Sequence, residues 1–516
     1  MKINNLIIIL LFASFITGCS TDILKEEPTG FIAPSQFFNT EQEVEAALFG
    51  VYNFLHNENI NDNFWLLIGD LGTDIGVTRS IGRFNTGQFY EMDTPDGRFT
   101  TLYRDHYQAI GAANTVVQRV SESDNFTQGF KDEVVGEAKY LRAYYYFKLT
   151  LLWGDVPMWL NELNLDEVET LGRTPLEEVR AQIIQDLTDA ANSLPPTRDA
   201  GNLGRVTTWA AKALLARVYL FGNDWQNALS TANDVILNSG HSLIPSVEDL
   251  FDFNNKFNSE LIHVIPKLTD IKGSNVHSFS SARGFDEAVL VDFSNGIAAI
   301  RPDGEEVLQA GGIGGLFQGW GIYQTIAENY DSYEAGDTRK ALWWHDFMLT
   351  DGTTITMTGG SSGSGGYYNR KFLAFDETPN NGSRDIPVTR LGEMYLIAAE
   401  AENEINGPTA AAYASINEIR RRAFGDNAHD VPAALSKEAF SQAIIDENRF
   451  ELGGEGLRKW YLIHWGFDAL NAAVQFASGS NPTAATNIKS HHVLFRIPEE
   501  EIVKNPNLAP NNPGYN

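Results

Sequence analysis

Two short patterns in this 516-residue chain have the residue types of a catalytic site. The string GGSSG at 359–363 matches the spacing of a serine nucleophile elbow, but that motif needs a strand before it and a helix after it, and here it lies in a glycine tract. Asp70 and Asp74 are two carboxylates of the kind that hydrolyses a glycosidic bond, yet a chain with 67 acidic residues contains many such pairs by chance. The sequence therefore predicts a protein that is not an enzyme.

Metal and cofactor chemistry has equally little support in the sequence. His491 and His492 are the only adjacent pair among the ten histidines, and no third ligand stands at metal spacing along the chain. The single cysteine excludes thiolate zinc sites within the body, and no phosphate loop of the Gly-x-x-x-x-Gly-Lys type occurs. We expect the histidine pair to have a surface or packing role, and we expect no cofactor.

The single cysteine, Cys19, directly follows a short apolar segment that ends in small residues. Residues 1–18 have a positive start, an apolar segment up to Ile16 and a small Thr17-Gly18 cleavage site, which predicts a secretory signal too short to span a membrane. The arrangement resembles the lipid attachment site of bacterial lipoproteins, although Ile16-Thr17 departs from the usual Leu followed by Ala or Ser. We expect Cys19 to carry the lipid anchor, with an ordinary signal peptide as the alternative.

The composition is that of a folded, acidic protein. Hydrophobic residues make up 43% and charged residues 20%, which is typical of a globular chain. The net charge of −29 leaves no basic surface for neutralising phosphates, so nucleic acid is not an expected partner, and neutral ligands fit better than acidic polymers. With one cysteine no disulfide forms within the chain, and core packing must supply the stability.

Apolar residues recur at helical spacing through most of the chain. One helix is predicted behind a cap at Asn39 or Thr40, and another behind Thr174-Pro175. A helix over 130–153 is apolar on more than one face and is therefore expected to be buried between neighbours. Two helix pairs alternate large and small apolar residues as tetratricopeptide repeats do, at 207–221 with 225–238 and at 388–404 with 409–424.

These patterns predict an all-α dominated fold, in which tetratricopeptide-like helix hairpins form a scaffold that carries an irregular, loop-rich layer. The irregular segments are rich in glycine and aromatic residues and have no sustained period. The predicted layout is a flexible tether at 19–30 and a single body at 31–516, with the helical scaffold at about 31–240 and 388–516 and the irregular layer at about 61–103 and 241–387.

Six blocks of the sequence resemble the SusD/RagB family, the lipid-anchored outer-membrane nutrient-binding proteins of Bacteroidetes. Their order and spacing span nearly the whole chain after Cys19, and with the lipid attachment site they make the resemblance strong. The blocks are GEAKYLRAYYYFKLTLLWGDVPM at 136–158, RVTTWAAKALLARVYLF at 205–221, RLGEMYLIAAEAEN at 390–403, INEIRRRAF at 416–424, ENRFELGGEGLRKWYLIHWG at 447–466 and LFRIPEEEIVKNPNLAPNNPGY at 494–515.

The resemblance implies a receptor that is anchored in the outer membrane by its lipid and faces the cell exterior. Such a protein captures an oligosaccharide and passes it to a SusC-like TonB-dependent outer-membrane transporter, over which it acts as a lid. It also implies that the charged residues of the blocks, such as Glu393, Glu451 and Arg458, form buried ion pairs. Tyr461 and His464 stand where the family has Asp and Arg, which puts a local contact in doubt but not the fold.

The resemblance transfers no ligand motif residue by residue, so the site prediction rests on residue type. Sugars are held by flat aromatic rings together with carboxylate, amide and guanidinium groups, although aromatic rings in helical proteins more often belong to the core. We predict the site where the 61–103 loop meets the 310–370 layer. Stacking candidates are Trp65, Trp320, Tyr323 and Tyr367, and hydrogen-bonding candidates are Asp74, Arg83 and Asn369.

Three further functions remain open from the sequence. A surface glycosidase would require that changing one carboxylate abolishes hydrolysis while binding survives. A peptide-binding or protein-binding subunit of a similar uptake complex would use the same exposed aromatic residues. A helical adaptor that binds only its membrane partner would need no ligand site at all.

Overall fold

The computed structural model describes residues 37–78, 82, 84–252, 254–280, 299–300, 321–349, 354–356, 367–372 and 381–515. Helices dominate this part of the chain, as the periodicity predicts. None of the helices in these ranges is long and apolar enough to pass through a membrane. The predicted signal, Cys19 and the tether lie outside the described residues.

The first half of the chain is a succession of helices that pack on their sequence neighbours. Helix α1 begins behind a capping box in which Thr40 and Glu43 bond each other's backbone N–H groups. Helix α5 is buried along most of its length and packs between α4 and α7, as its all-round apolar pattern predicts. The elements are α1 (Glu41–Asn53), α2 (Asn63–Asp70), β1 (Gly76–Thr78), α3 (Asn85–Phe89), α4 (Gly97–Glu122), α5 (Gln128–Trp153), α6 (Leu165–Val168), α7 (Leu176–Ser193), α8 (Thr208–Phe221) and α9 (Trp225–Asn238).

The middle of the chain contains short helices and strands, and the strands of the described residues form three small sheets. In chain order the elements are α10 (Val247–Leu250), β2 (Leu261–Ile265), α11 (Val276–Ser280), β3 (Ala299–Ile300), β4 (Tyr323–Thr325), α12 (Ala327–Asp331), β5 (Trp343–Trp344), β6 (Asp346–Leu349), β7 (Thr354–Thr356), β8 (Tyr367–Asn369) and β9 (Ile386–Arg390). The sheet orders are β1-β4-β8-β5, β2-β9 and β3-β6-β7, and every strand pair is antiparallel.

The C-terminal part returns to helices. These are α13 (Leu391–Asn406), α14 (Ala410–Phe424), α15 (Lys437–Leu452), α16 (Arg458–His464), α17 (Phe467–Phe476), α18 (Pro482–Asn487) and α19 (Glu499–Lys504). Helix α13 packs on both α9 and α14, so the second helix pair stacks against the first through apolar faces. The two predicted hairpins are therefore confirmed as neighbours in one scaffold.

Three local predictions differ from the structure. The second pair begins at Leu391 rather than Val388, because residues 386–390 pair with β2 as a strand. Helix α7 begins at Leu176, and its first N–H donates to Asp155 Oδ1 at 2.8 Å instead of being capped by Thr174. The 61–103 segment contains the helices α2 and α3, which are too short to show a period in the sequence.

The charged residues of the family blocks pair in the interior, as the resemblance implies. Glu393 binds Arg217, with 1% and 5% of their side chains exposed, and it also accepts the Tyr461 hydroxyl at 2.7 Å. Glu400 accepts the His464 ring at 2.9 Å. Tyr461 and His464 thus provide hydrogen-bonding partners for these two buried carboxylates.

Candidate ligand-binding site

Strand pairing brings together the two segments in which the site is predicted. Strand β1, from the 61–103 segment, pairs with β4 so that Thr78 lies opposite Tyr323. Strand β4 then pairs with β8, placing Thr325 opposite Tyr367. The four-stranded sheet is therefore the physical junction of the two segments.

Trp65 and Tyr323 lie at this junction, but in its interior. The Trp65 ring is 6% exposed, stacks on Trp460 with ring centres 5.2 Å apart, and has the Lys148 ammonium 3.8 Å from its centre. Tyr323 is 4% exposed and donates its hydroxyl to Asp70 Oδ2 at 2.9 Å. Both rings hold α2 against other elements, so in this structure they do not offer a face to a ligand.

Asp74 and Asn369 are buried in the same way. Asp74 accepts two hydrogen bonds from the Arg458 guanidinium at 2.9 and 2.7 Å. Burial raises the pKa of the Asp74 carboxyl, but the Arg458 charge and hydrogen bonds outweigh it and hold the pKa below its usual value. Asn369 donates to the Gly454 carbonyl oxygen at 2.8 Å and accepts the Lys371 N–H at 3.0 Å. Both side chains form their hydrogen bonds with other buried groups of the protein and are not available to a ligand.

Tyr367 is the stacking candidate that lies near the surface. It is half-buried, and its ring centre lies 4.3 Å from Tyr330 and 4.3 Å from His345. The Lys340 ammonium lies 4.3 Å from the centre of the Tyr330 ring. We call Tyr330, His345 and Tyr367 the Tyr367 cluster. The other two candidates, Trp320 and Arg83, lie outside the described residues.

A groove beside α4 offers a second surface for a ligand. It encloses about 720 Å³, within the range of small-molecule sites. On one wall Tyr107 stacks on Trp159 with ring centres 5.1 Å apart and planes 15° apart, and Tyr107 donates to the Pro157 carbonyl oxygen at 3.1 Å. Polar residues also line the groove, among them Arg104, Gln108, Asn161, Glu162, Glu169, Glu501, Lys504 and Asn505. We call this cavity the α4 groove.

The sequence prediction does not include the α4 groove. Tyr103 and Tyr107 are four residues apart on α4, so their shared face was detectable as helical periodicity. The loop that carries Trp159 and the C-terminal helix α19 reach the groove only through tertiary packing. No local sequence pattern therefore predicts the cavity.

Asp70, beneath the four-stranded sheet, links α2 to the C-terminal block. It is fully buried and accepts the Gly456 N–H at 3.0 Å and the Arg458 N–H at 3.3 Å in addition to the Tyr323 hydroxyl. Burial raises the pKa of the Asp70 carboxyl to about 6, although these hydrogen bonds oppose the rise. Asp70 is thus a buried acid, and Asp74 is a carboxylate paired with Arg458. Neither is exposed as a catalytic carboxylate would have to be.

The raised pKa of Asp70 predicts a pH effect on stability. The folded protein binds the proton of the Asp70 carboxyl more tightly than the unfolded chain does. The stabilisation that this proton gives the folded state is therefore complete below about pH 4 and is lost as the pH rises through about 6. Asp70→Asn cannot titrate. From pH 4 to 7 we expect the unfolding free energy of the wild type to fall relative to that of the variant by on the order of 2–3 kcal/mol. Urea unfolding of both proteins across this pH range measures the difference. Unfolding free energies that change with pH in parallel in the two proteins would contradict the prediction.

Stacked helix hairpins that carry a small-sheet layer define a helical-repeat scaffold protein. A model of the SusD family matches residues 321–515, and a model described as starch-binding associating with outer membrane matches residues 24–220. SusD-like protein P25 of Formosa agariphila is 31% identical to this chain over 98% of both sequences. SusD-like protein P2 of the same organism is 29% identical over the full length of both. The chain therefore belongs to the SusD family.

Solved structures show the same fold. A laminarin-binding SusD-like protein superposes with a TM-score of 0.75 at 23% identity, covering 93% of this chain and all of that one. Surface glycan-binding protein A from Bacteroides thetaiotaomicron, in complex with laminarihexaose, gives a TM-score of 0.71 at 18% identity, covering 91% of this chain and 99% of that one. The all-α dominated, SusD-like fold predicted from the sequence is confirmed.

Proposed function

We propose that this protein is a glycan-binding lipoprotein of the cell surface. The observation that carries the proposal is the relationship to SusD-like proteins along the whole chain, at 31% identity over 98% of both sequences. Two structural neighbours are described as binding laminarin or laminarihexaose, which makes a neutral β-glucan a reasonable first ligand. The net charge of −29 also favours a neutral over an acidic polysaccharide.

In this proposal the protein is a receptor and not an enzyme. Cys19 carries a lipid that anchors it in the outer membrane, in keeping with the matching family model described as associating with that membrane. It faces the exterior, binds an oligosaccharide and delivers it to a SusC-like TonB-dependent transporter, over which it acts as a lid. The buried, Arg-paired state of Asp74 and the burial of Asp70 support a role without glycosidase chemistry.

We place the glycan on the Tyr367 cluster, with the α4 groove as the second surface. The cluster combines aromatic rings near the surface with a neighbouring ammonium group. Its Tyr367 belongs to the four-stranded sheet in which the two loop-rich segments meet through β1 and β4. The groove is favoured by its volume and by its stacked Tyr107–Trp159 wall lined with amide and carboxylate groups. Each surface has an accessible aromatic residue whose removal tests it, Tyr367 in the cluster and Tyr107 in the groove.

Binding of laminarin and of a panel of neutral and acidic polysaccharides tests the function. The chain starting after Cys19 is run by affinity electrophoresis, and ligands that retard it are measured by calorimetry. We expect Tyr367→Ala to weaken binding at least fivefold, since one stacking ring contributes about 1 kcal/mol beyond the area it buries. Phe49→Ala, which removes an aromatic residue that is 48% exposed on the scaffold helix α1, is the matched control and should bind as the wild type.

Each other result has a definite meaning. Loss of binding in Tyr107→Ala with Tyr367→Ala unaffected would move the site to the α4 groove. Release of shorter sugars from the bound glycan would contradict the receptor role. Absence of binding to every glycan, in a protein shown to be folded, would overturn glycan binding and favour peptide cargo, which the same assay measures with a peptide mixture.

A further inference from the structure

The two adjacent histidines near the C-terminus have a third potential metal ligand that sequence spacing does not reveal. Asp93 lies in the turn before α4, far from the pair in sequence, but folding places it beside them. Asp93, His491 and His492 each offer a ligand atom, and these three atoms all lie within 4.8 Å of one another. His491 Nε2 is 3.8 Å from Asp93 Oδ1, too far for a direct hydrogen bond.

Both imidazole rings pack against aromatic neighbours. His492 is 1% exposed and stacks on Tyr90 with planes 12° apart, while His491 packs edge-on against Tyr515 with ring centres 4.9 Å apart. His492 Nδ1 accepts the Lys489 N–H at 3.2 Å. The Nε2 atoms of both rings are buried and have no hydrogen-bond partner among the described residues. Buried polar nitrogens are normally satisfied, so two unsatisfied ones beside a carboxylate indicate a missing partner.

We propose that Asp93, His491 and His492 bind a divalent transition metal ion such as Zn²⁺. Two imidazole nitrogens and one carboxylate are ligands that Zn²⁺ accepts, with a water molecule as the fourth, whereas Ca²⁺ requires a larger set of oxygen ligands. Tetrahedral zinc ligands are separated by roughly 3.3 Å, given bond lengths near 2 Å. The site therefore has to contract by up to about 1.5 Å, and the Asp93 side chain, which is 61% exposed, has room to move toward the histidines.

Two local contacts change when the ion binds. Coordination through His492 Nε2 moves the ring proton to Nδ1, so the weak bond from the Lys489 N–H is given up. The Lys489 ammonium, 3.4 Å from Asp93 Oδ2 and 57% exposed, has to swing away from the carboxylate. The bound ion then ties the turn before α4 to the C-terminal segment, and it should stabilise the folded chain as any ligand specific to the native state does.

Zinc titration of the full chain without its signal segment, after treatment with a chelator, tests the site. Calorimetry should show one Zn²⁺ per chain, and zinc should raise the midpoint of thermal unfolding while Ca²⁺ does not. Asp93→Asn and His491→Ala should each weaken zinc binding at least tenfold and abolish the thermal shift. Lys489→Met, which removes the competing ammonium, should bind zinc at least as tightly as the wild type.

A second histidine–carboxylate pair provides the control. His429 Nδ1 lies 3.2 Å from Asp426 Oδ1 on the surface, and among the described residues this pair is not part of a three-ligand group. His429→Ala should therefore leave zinc binding unchanged. The proposal is overturned if the folded wild type takes up no stoichiometric zinc, or if Asp93→Asn and His491→Ala bind zinc with wild-type affinity.

Discussion

Arg390→Met is expected to lower the free energy of unfolding by about 3–5 kcal/mol, because it leaves buried carboxylates without their central cation. Arg390 is 2% exposed, and it is the last residue of β9, directly before α13. Its guanidinium donates to Glu260 at 3.0 Å, to both Glu455 oxygens at 2.9 Å, and to Glu451. Methionine fills most of the volume of the arginine side chain but donates no hydrogen bond. The loss of unfolding free energy therefore reflects uncompensated carboxylate charge and not a cavity.

Urea unfolding monitored by circular dichroism measures this loss. Arg421→Met is the matched control, since Arg421 pairs with Asp430 at the surface and 47% of its side chain is exposed. Exposed pairs contribute about 0–1 kcal/mol, so this variant should unfold close to the wild type. Equal losses in the two variants would show that the interior ion pairs do not differ energetically from surface ones.

The helical scaffold was predictable because its signals are local. Apolar periodicity located the first helix pair to within a residue at each end, and the double-faced pattern of α5 correctly indicated a buried helix. The start of the second pair was wrong because Val388 and its neighbours suit a strand as well as a helix. Their partner strand β2 lies more than a hundred residues earlier in the chain, so only tertiary pairing decides the outcome.

The candidate site was predictable only at the level of segments. The meeting of the two loop-rich segments is confirmed by the pairing of β1 with β4. Residue type alone, however, does not distinguish a ring that stacks on a ligand from one that stacks on Trp460, as Trp65 does. Asp74 likewise has the chemistry of a ligand residue, but its partner Arg458 comes from the other end of the chain. Burial, which separates these cases, is a property of the folded chain.

Gly69→Ala is expected to destabilise the protein by about 3 kcal/mol, even though alanine normally favours a helix. Gly69 lies in α2, and a Cβ there would overlap the carbonyl group of Gly456 and approach its Cα to 2.9 Å. The obstacle is backbone, so no rotamer change relieves it. Helix α2 would have to move away from the loop before α16, and Asp70 would lose its bonds to that loop.

Gly50→Ala is the matched control for this prediction. Gly50 is an exposed position of helix α1, and a Cβ there would meet no atom within 4 Å apart from the neighbouring backbone of its own helix. Alanine should therefore stabilise the protein by up to about 1 kcal/mol through helix propensity alone. Urea unfolding of the two variants should show opposite signs. If Gly69→Ala were as stable as Gly50→Ala, the close contact of α2 with the Gly456 backbone would be contradicted.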